Sequence, residues 1–443
     1  MRLEELSAIM RENGIVGAGG AGFPSYAKLN MKADTIILNC AECEPLLRLH
    51  RQLLAEKSYE IMTALTEVAE AVEADQIIIA VKDHYTAAIE SVKANMSSFP
   101  KVKIGLLEDI YPSGDEIVTI YETTKRVVPP GQLPISVGVI VYNVETMYNL
   151  YMAIANKKPV THKYITVAGE VKNPGTFLVP LGMTFDEVVA LTGGPVIEKY
   201  AYISGGPMTG RIGTGTELVT KTSNAILVLP ENNFVVKKKK TPVSLSMKQA
   251  ASVCCQCQMC TDLCPRNLLG YPIEPHMFMR GATTGQIGDV APYLNTQFCS
   301  QCGVCEMYAC GQGLNPRTLL GEFKREMAKQ GLRPAPEDIV FKEVNPGRDY
   351  RCVPMPRLRA RLGLAVYDKP APMSPQEITV KRVKIAMSQH IGAPAAPVVK
   401  VGDKVEAGQI IGQADTSKLG VNIHSSVNGT VIDVNDKFVM IEA

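Results

Sequence analysis

Leu3, Leu6, Ile9 and Met10 recur at helical spacing, so the chain opens on an amphipathic helix over residues 1–13. Past a glycine-rich stretch, short apolar runs follow at 35–38, 76–81, 102–107 and 136–141. Runs this short and continuous suit strands buried on both faces. Helical patterns fill intervals at 53–73 and 84–96. Buried strands alternating with helices predict an α/β domain with a largely parallel sheet over residues 1–160.

The texture then changes. The segments 165–169 and 175–179 predict a hairpin around Asn173-Pro174-Gly175, a helix at 184–191 runs out into Gly193-Gly194, and 225–229 predicts a further strand. These make a small α+β unit over 161–236. Lys237 to Lys240, followed by Thr241-Pro242, suggests a solvated linker into a third unit at 245–330. Residues 331–375 are rich in proline and arginine with weak periodicity, as in an extended linker that packs on its neighbours. From 376 to 443, short strands broken by Gly402, Gly408, Gly412 and Gly429 predict a small all-β module.

At 443 residues the chain exceeds one ordinary core. The 46 basic and 44 acidic residues nearly balance, which gives no support to a nucleic-acid partner. No apolar stretch reaches the roughly 18 residues of a membrane span, so a soluble or peripheral protein is expected. Twelve cysteines without a secretory signal indicate a reducing cytosol and metal ligation.

Eight of those cysteines form two runs. The first is Cys254-x2-Cys257-x2-Cys260-x3-Cys264 followed by Pro265; the second is Cys299-x2-Cys302-x2-Cys305-x4-Cys310. Zinc motifs usually pair two short arms and do not repeat three-plus-one runs. The first run has the spacing of bacterial ferredoxins, which hold [4Fe–4S] clusters. That resemblance implies cross-ligation: Cys254, Cys257, Cys260 and Cys310 for one cluster, and Cys299, Cys302, Cys305 and Cys264 for the other. The second run departs from the pattern, with four residues before Cys310 and no proline after it. Cys255 is an extra thiol beside a ligand.

Four ordered N-terminal motifs resemble the flavin-binding subunit of respiratory complex I. They are Gly17-x-Gly19-Gly20-Ala21-Gly22-Phe23-Pro24 with Lys28, Asn39-Cys40-Ala41-Glu42-Cys43-Glu44-Pro45, Tyr111-Pro112-Ser113-Gly114-Asp115-Glu116, and Tyr142-Asn143-Val144-Glu145-Thr146. The resemblance implies FMN and NADH as cofactor and electron donor. Glycines let backbone N–H groups approach a flavin phosphate, Lys28 adds positive charge there, and Phe23 offers a stacking face. It further implies Asn39, Glu42, Asn143 and Thr146 around the flavin, with Glu44 and Glu116 near the nicotinamide nucleotide. No side chain is expected to act as a general acid or base, because hydride transfer to flavin needs none and the rest is an electron relay.

Residues 163–235 resemble the β-grasp module SLBB, which accompanies this flavin domain; the resemblance implies either a site for a small ligand such as a corrin or a scaffold role. The C-terminal module resembles the barrel-sandwich hybrid of lipoyl carriers. Its Gln389-His390-Ile391-Gly392-Ala393-Pro394 and Ser426-Val427-Asn428-Gly429 also resemble the RnfC component of the Rnf complex. Lys418 lies in the register of a lipoyl lysine, although a structural or docking role is expected of the module. The order of modules, the Tyr308-Ala309-Cys310 variant and Cys264-Pro265-Arg266 resemble the cobalamin reductase family of propanediol-utilisation microcompartments. The resemblance implies a multidomain α/β chain: a Rossmann-like flavin domain, an SLBB domain, a ferredoxin-like two-cluster helical domain and a barrel-sandwich hybrid. It implies an NADH-dependent reductase of cobalamin in a cytoplasmic microcompartment, with an adenosyltransferase and a shell protein as partners. The alternatives are an RnfC-like electron-input component of a membrane complex or reductase system, and a non-catalytic conduit through a shell.

Overall fold

The computed structural model describes residues 1–285 and 288–443. Its first unit is a four-stranded parallel sheet in the order Val102–Leu107, Gln76–Lys82, Thr35–Cys40, Val139–Asn143. Alternate side chains enter different cores. Ile36 and Leu38 pack with Ile61, Leu65 and Met147 on one face, while Ile37 joins Ile117, Ile120 and Val139 on the other. Both faces are therefore covered by helices, which is why the strands are apolar throughout. The helical pattern at 53–73 is two helices, Leu49–Glu56 and Ser58–Ala71, broken at Lys57 with φ −129°.

The expected hairpin forms from His162–Gly169 and Gly175–Pro180. It belongs to a five-stranded sheet with Ala225–Pro230, Tyr200–Ser204 and Arg211–Gly213. The helix Phe185–Ala190 starts on a capping box between Thr184 and Glu187.

The lysine run is not a solvated linker. It is the end of the helix Phe234–Lys240, and Lys238 is buried. Lys238 Nζ donates to Leu314 O (3.1 Å), Asn315 Oδ1 (2.8 Å) and Gly313 O, and Lys239 Nζ donates to Met208 O (3.2 Å). Charge suggested solvent, but these ammonium groups satisfy carbonyls of two neighbouring units. The third unit then packs helices Val243–Val253, Pro275–Thr284 and Pro316–Lys329 around Phe278, Tyr293 and Phe323.

Residues 331–375 form a packed strap. Val353–Pro354 pairs antiparallel with Ile110–Tyr111, a short helix follows at Met355–Arg361, and Tyr367 OH donates to Glu170 (2.8 Å). The C-terminal module is a four-stranded sheet of Arg382–Ala386, Phe438–Glu442, Gly429–Asn435 and Lys404–Val405 facing a three-stranded one. Its loop around Lys418 is docked: Arg11 Nη2 donates to Asp415 O (2.7 Å), and Gly420 N donates to Tyr26 OH (3.2 Å). A carrier lysine needs a free hairpin, so this placement favours a structural loop. Among the described residues no helix is long and apolar enough to cross a membrane.

Where three units meet, Lys221 and His424 are buried side by side with the half-buried His390. Burial lowers the Lys221 amine from 10.5 to about 7; burial, then the nearby Lys221, lowers the His424 imidazole from 6.5 to about 3. Both folded values lie below the unfolded ones, so the unfolded chain binds more protons within each window. Thermal stability should therefore rise from pH 7 towards 10 through Lys221 and fall as pH drops from 6.5 towards 3 through His424. Melting curves of wild type and His424→Gln across pH 4–7 check the second window, where the variant should show the shallower slope.

Candidate redox sites

The sheet order places Thr35–Cys40 beside Val139–Asn143, with the other two parallel strands added on the far side of Thr35–Cys40. Ligands of open α/β sheets bind outside the carboxyl ends where the strand order switches sides in this way. Asn39 and Asn143 are cross-strand partners at that end. A cavity of about 300 Å³ opens there, lined by Gly17, Gly19, Gly20, Gly22, Phe23, Lys28, Asn39, Gly114, Glu116, Asn143 and Thr146. Eleven of the thirteen cofactor residues expected from sequence thus come together.

Each is fixed by its own local chemistry. Asn143 caps the helix Val144–Asn156 through Glu145 N (3.0 Å), and its amide meets His50 Nε2 at 3.1 Å. Thr146 Oγ1 accepts from Ala18 N (3.0 Å), tying the glycine loop to that helix. Asn39 Nδ2 donates to Gly114 O (2.9 Å). Lys28 Nζ donates to Glu116 Oε1 (2.8 Å) and Val141 O (2.9 Å). Ser25, which sequence reasoning missed, also lines the cavity; its Oγ is buried without a hydrogen-bond partner among the described residues. A buried hydroxyl without a partner is costly. An unpartnered hydroxyl, a cationic Lys28 and an open glycine loop fit a phosphorylated, polar-edged flavin.

Glu42 and Glu44 do not line this cavity. Glu42 is buried and accepts from His50 N (2.8 Å) and Arg51 Nε (2.9 Å). Burial opposes its charge, yet Arg51 and His50 hold the carboxyl below its ordinary value. Glu44 accepts from Met208 N (2.8 Å) and Thr209 N (2.7 Å) of the second unit, which anchors a loop between the first and third units. Arg317 Nη2 holds the same loop at Thr209 O (3.2 Å). Glu44→Ala should therefore cost about 1–3 kcal/mol of stability, which thermal melting of the variant beside wild type checks.

The two cysteine runs fold alike. Gln256 and Gln301, each two residues after the first cysteine of its run, take φ +56° and +58°; Gln258 and Gly303, two further on, take +65° and +84°. Left-handed glutamines cost about 1–2 kcal/mol each, a strain that both loops accept in order to curl their thiols inward. Gln256 Nε2 donates to Cys254 Sγ (3.3 Å) and Gln301 Nε2 to Cys299 Sγ (3.2 Å). The extra residue of the second run is absorbed by a π turn at Cys305–Ala309.

Cys254, Cys257, Cys260 and Cys310 line one small cavity with Cys255 and His276; Cys264, Cys299, Cys302 and Cys305 line another. Each run thus contributes its last cysteine to the other run's cavity. Among the described residues no three His, Cys, Asp or Glu groups converge as ligands of a single ion would. Eight thiols in two sets of four suit cubanes, which carry one cysteine on each iron. Burial pushes the Cys260, Cys264 and Cys302 thiols up to about 12, so bare thiols there stay protonated and inert until a metal displaces the proton.

The second thiol set lies against the flavin-like cavity. Arg266, two residues after Cys264, donates to both oxygens of Asp115 at 2.9 Å, and Asp115 stands between the cavity residues Gly114 and Glu116. Tyr111 OH donates to Cys302 O (2.6 Å). The first set faces outward: Cys255, Gln256, Cys257 and Gln258 are exposed. Tyr111, Asp115 and Arg266 stand inside motifs visible in the sequence, but their pairing was not.

Family models match four segments: a Nuo51 FMN-binding domain at 10–152, an SLBB domain at 164–212, a 4Fe–4S dicluster domain at 253–315 and an RnfC barrel-sandwich hybrid domain at 371–442. The chain is 36% identical over 443 residues to the cobalamin reductase PduS of Salmonella typhimurium, covering 99% of this chain and 96% of that one. It is also 36% identical to PduS of Citrobacter freundii, covering 98% and 95%. The C component of the proton-translocating ferredoxin:NAD(+) oxidoreductase complex of Clostridium ljungdahlii is 32% identical, over 60% of this chain and 57% of that one.

Proposed function

The chain belongs to the cobalamin reductase family, and on that premise we propose that it carries electrons from NADH, by way of FMN and two [4Fe–4S] clusters, to the cobalt of a corrinoid. When bound, flavin takes two electrons from a nicotinamide and releases them singly to iron–sulfur clusters. Supporting this reading most is the Asp115–Arg266 contact, which joins the wall of the flavin-like cavity to the loop of Cys264.

The residues have separable tasks. Lys28 and Ser25 offer a charge and a hydroxyl to the flavin, with Glu116 at the edge where the nicotinamide nucleotide would enter. Cys264, Cys299, Cys302 and Cys305 would hold the cluster nearer the flavin. Cys254, Cys257, Cys260 and Cys310 would hold the outward one, from which the acceptor is served. The largely exposed stretch from Gln249 to Thr261 carries no Asp, Glu, Lys or Arg, so a corrinoid meets little electrostatic barrier there. A microcompartment setting, with an adenosyltransferase to consume the reduced cobalt and a shell protein nearby, follows from the family premise. The match with PduS along nearly the whole chain, against 60% with an Rnf-type component, favours this reading over electron input to a membrane complex.

Arg266→Met tests the coupling. It takes the cation from a mostly buried pair, leaving Asp115 only the helix N–H donors of Ile117 and Val118, at a cost of about 1–3 kcal/mol. Stopped-flow should show NADH reducing flavin near the wild-type rate while cluster bleaching slows at least tenfold. Unchanged cluster bleaching would remove this contact from the path.

A further inference from the structure

The C-terminal module contributes no residue to the flavin-like cavity and no thiol run, yet it grips the loop on which that cavity depends. Ile391 N donates to Gly22 O (3.3 Å). Gly22 has φ +77°, and a Cβ there would stand 3.0 Å from His390 Cα and 2.8 Å from Thr222 Cγ2. The loop is thus pinched between the C-terminal module and the SLBB unit. On the chain just before it, Asn422 N donates to Arg11 O (3.3 Å). On the chain just after it, Gly420 N donates to Tyr26 OH, next to the cavity residue Ser25.

Lys221 closes this arrangement. It is 1% exposed and comes from the SLBB unit. Its Nζ donates to Gly14 O of the flavin unit (2.8 Å) and to Asn422 O of the C-terminal module (3.0 Å), while its backbone N donates to Gln389 Oε1 (3.0 Å). One side chain therefore satisfies buried carbonyls of two other units, three residues before the glycine loop begins.

We infer that the C-terminal module is a clamp on the glycine loop 17–22 and that Lys221 is the positioning residue that locks it, so that flavin affinity is set from outside the flavin unit. The inference rests on the reading that the cavity holds FMN. It gives a task to the Gln389–Ile391 motif, which lines neither the cavity nor the thiol pockets, and it gives the barrel-sandwich module, with its Lys418 loop docked, a structural task.

The test uses full-length, reconstituted protein. Lys221→Met keeps the apolar stem and removes the donor, leaving Gly14 O and Asn422 O unsatisfied. FMN affinity, read by fluorescence quenching, should weaken at least about tenfold. Iron content and cluster EPR should stay at wild-type values, and excess FMN should restore NADH oxidation. Gln389→Ala, which removes only the acceptor of the Lys221 backbone, should shift FMN affinity in the same direction by less. Wild-type FMN affinity in both variants overturns the clamp. So does joint loss of iron and flavin in Lys221→Met with unchanged affinity in Gln389→Ala, which marks general collapse. A wild-type protein that fails to bind FMN overturns the cavity reading itself, and the clamp with it.

Discussion

Serine at Cys264 should remove about half of the iron and stop electrons short of the corrinoid, while FMN stays bound and NADH still reduces it. Cys264 belongs to the first run by sequence but lines the cavity of Cys299, Cys302 and Cys305. Serine oxygen is a poor ligand where soft thiolates hold iron. The lost EPR signal should be the one that Cys302→Ser loses, and Cys310→Ser should lose the signal that Cys257→Ser loses. If ligation stayed within each run, Cys264→Ser would instead pair with Cys257→Ser. Iron counts with EPR of the four variants separate the two schemes.

Alanine at Gly19 should release the flavin and spare the clusters. A Cβ there would stand 3.0 Å from Asn143 Cγ and closer still to its amide nitrogen. Asn143 cannot yield cheaply, because its oxygen caps a helix and its amide meets His50. Overpacking of this kind costs about 1–3 kcal/mol, which falls on the cradle and not on the remote cysteine loops. FMN affinity should drop between tenfold and a hundredfold, with cluster EPR of dithionite-reduced protein unchanged; equilibrium dialysis measures the first.

Much of this arrangement was legible in the chain. The ferredoxin-like cysteine spacing divided eight thiols into two sets of four, and the glycine, Asn39, Gly114 and Asn143 motifs, far apart in sequence, meet at one end of one sheet. Glu42 and Glu44 lie outside the cavity wall, because neighbourhood in a motif does not fix direction. Glu42 takes φ +37° and Leu46 φ +72°, and these left-handed turns coincide with carboxylates aimed at Arg51 and at the second unit. Lys237 to Lys240 misled because a run of charge was read without the carbonyls it would find. The extra residue before Cys310 was seen as a departure, but only the backbone reveals the π turn that absorbs it. Contacts such as Lys221 to Asn422 and Arg11 to Asp415 span hundreds of residues, and no local period encodes them.

The central claim is that one chain links nicotinamide oxidation to cobalt reduction. Anaerobic titration of the reconstituted protein with NADH, followed by flavin absorbance and cluster EPR together, tests it when a Co(II) corrinoid is then added. The account predicts that flavin and both clusters become reduced and that the corrinoid reoxidises them as its own Co(II) signal disappears. Clusters that stay reduced beside an unchanged Co(II) signal would contradict it and point to a different electron acceptor.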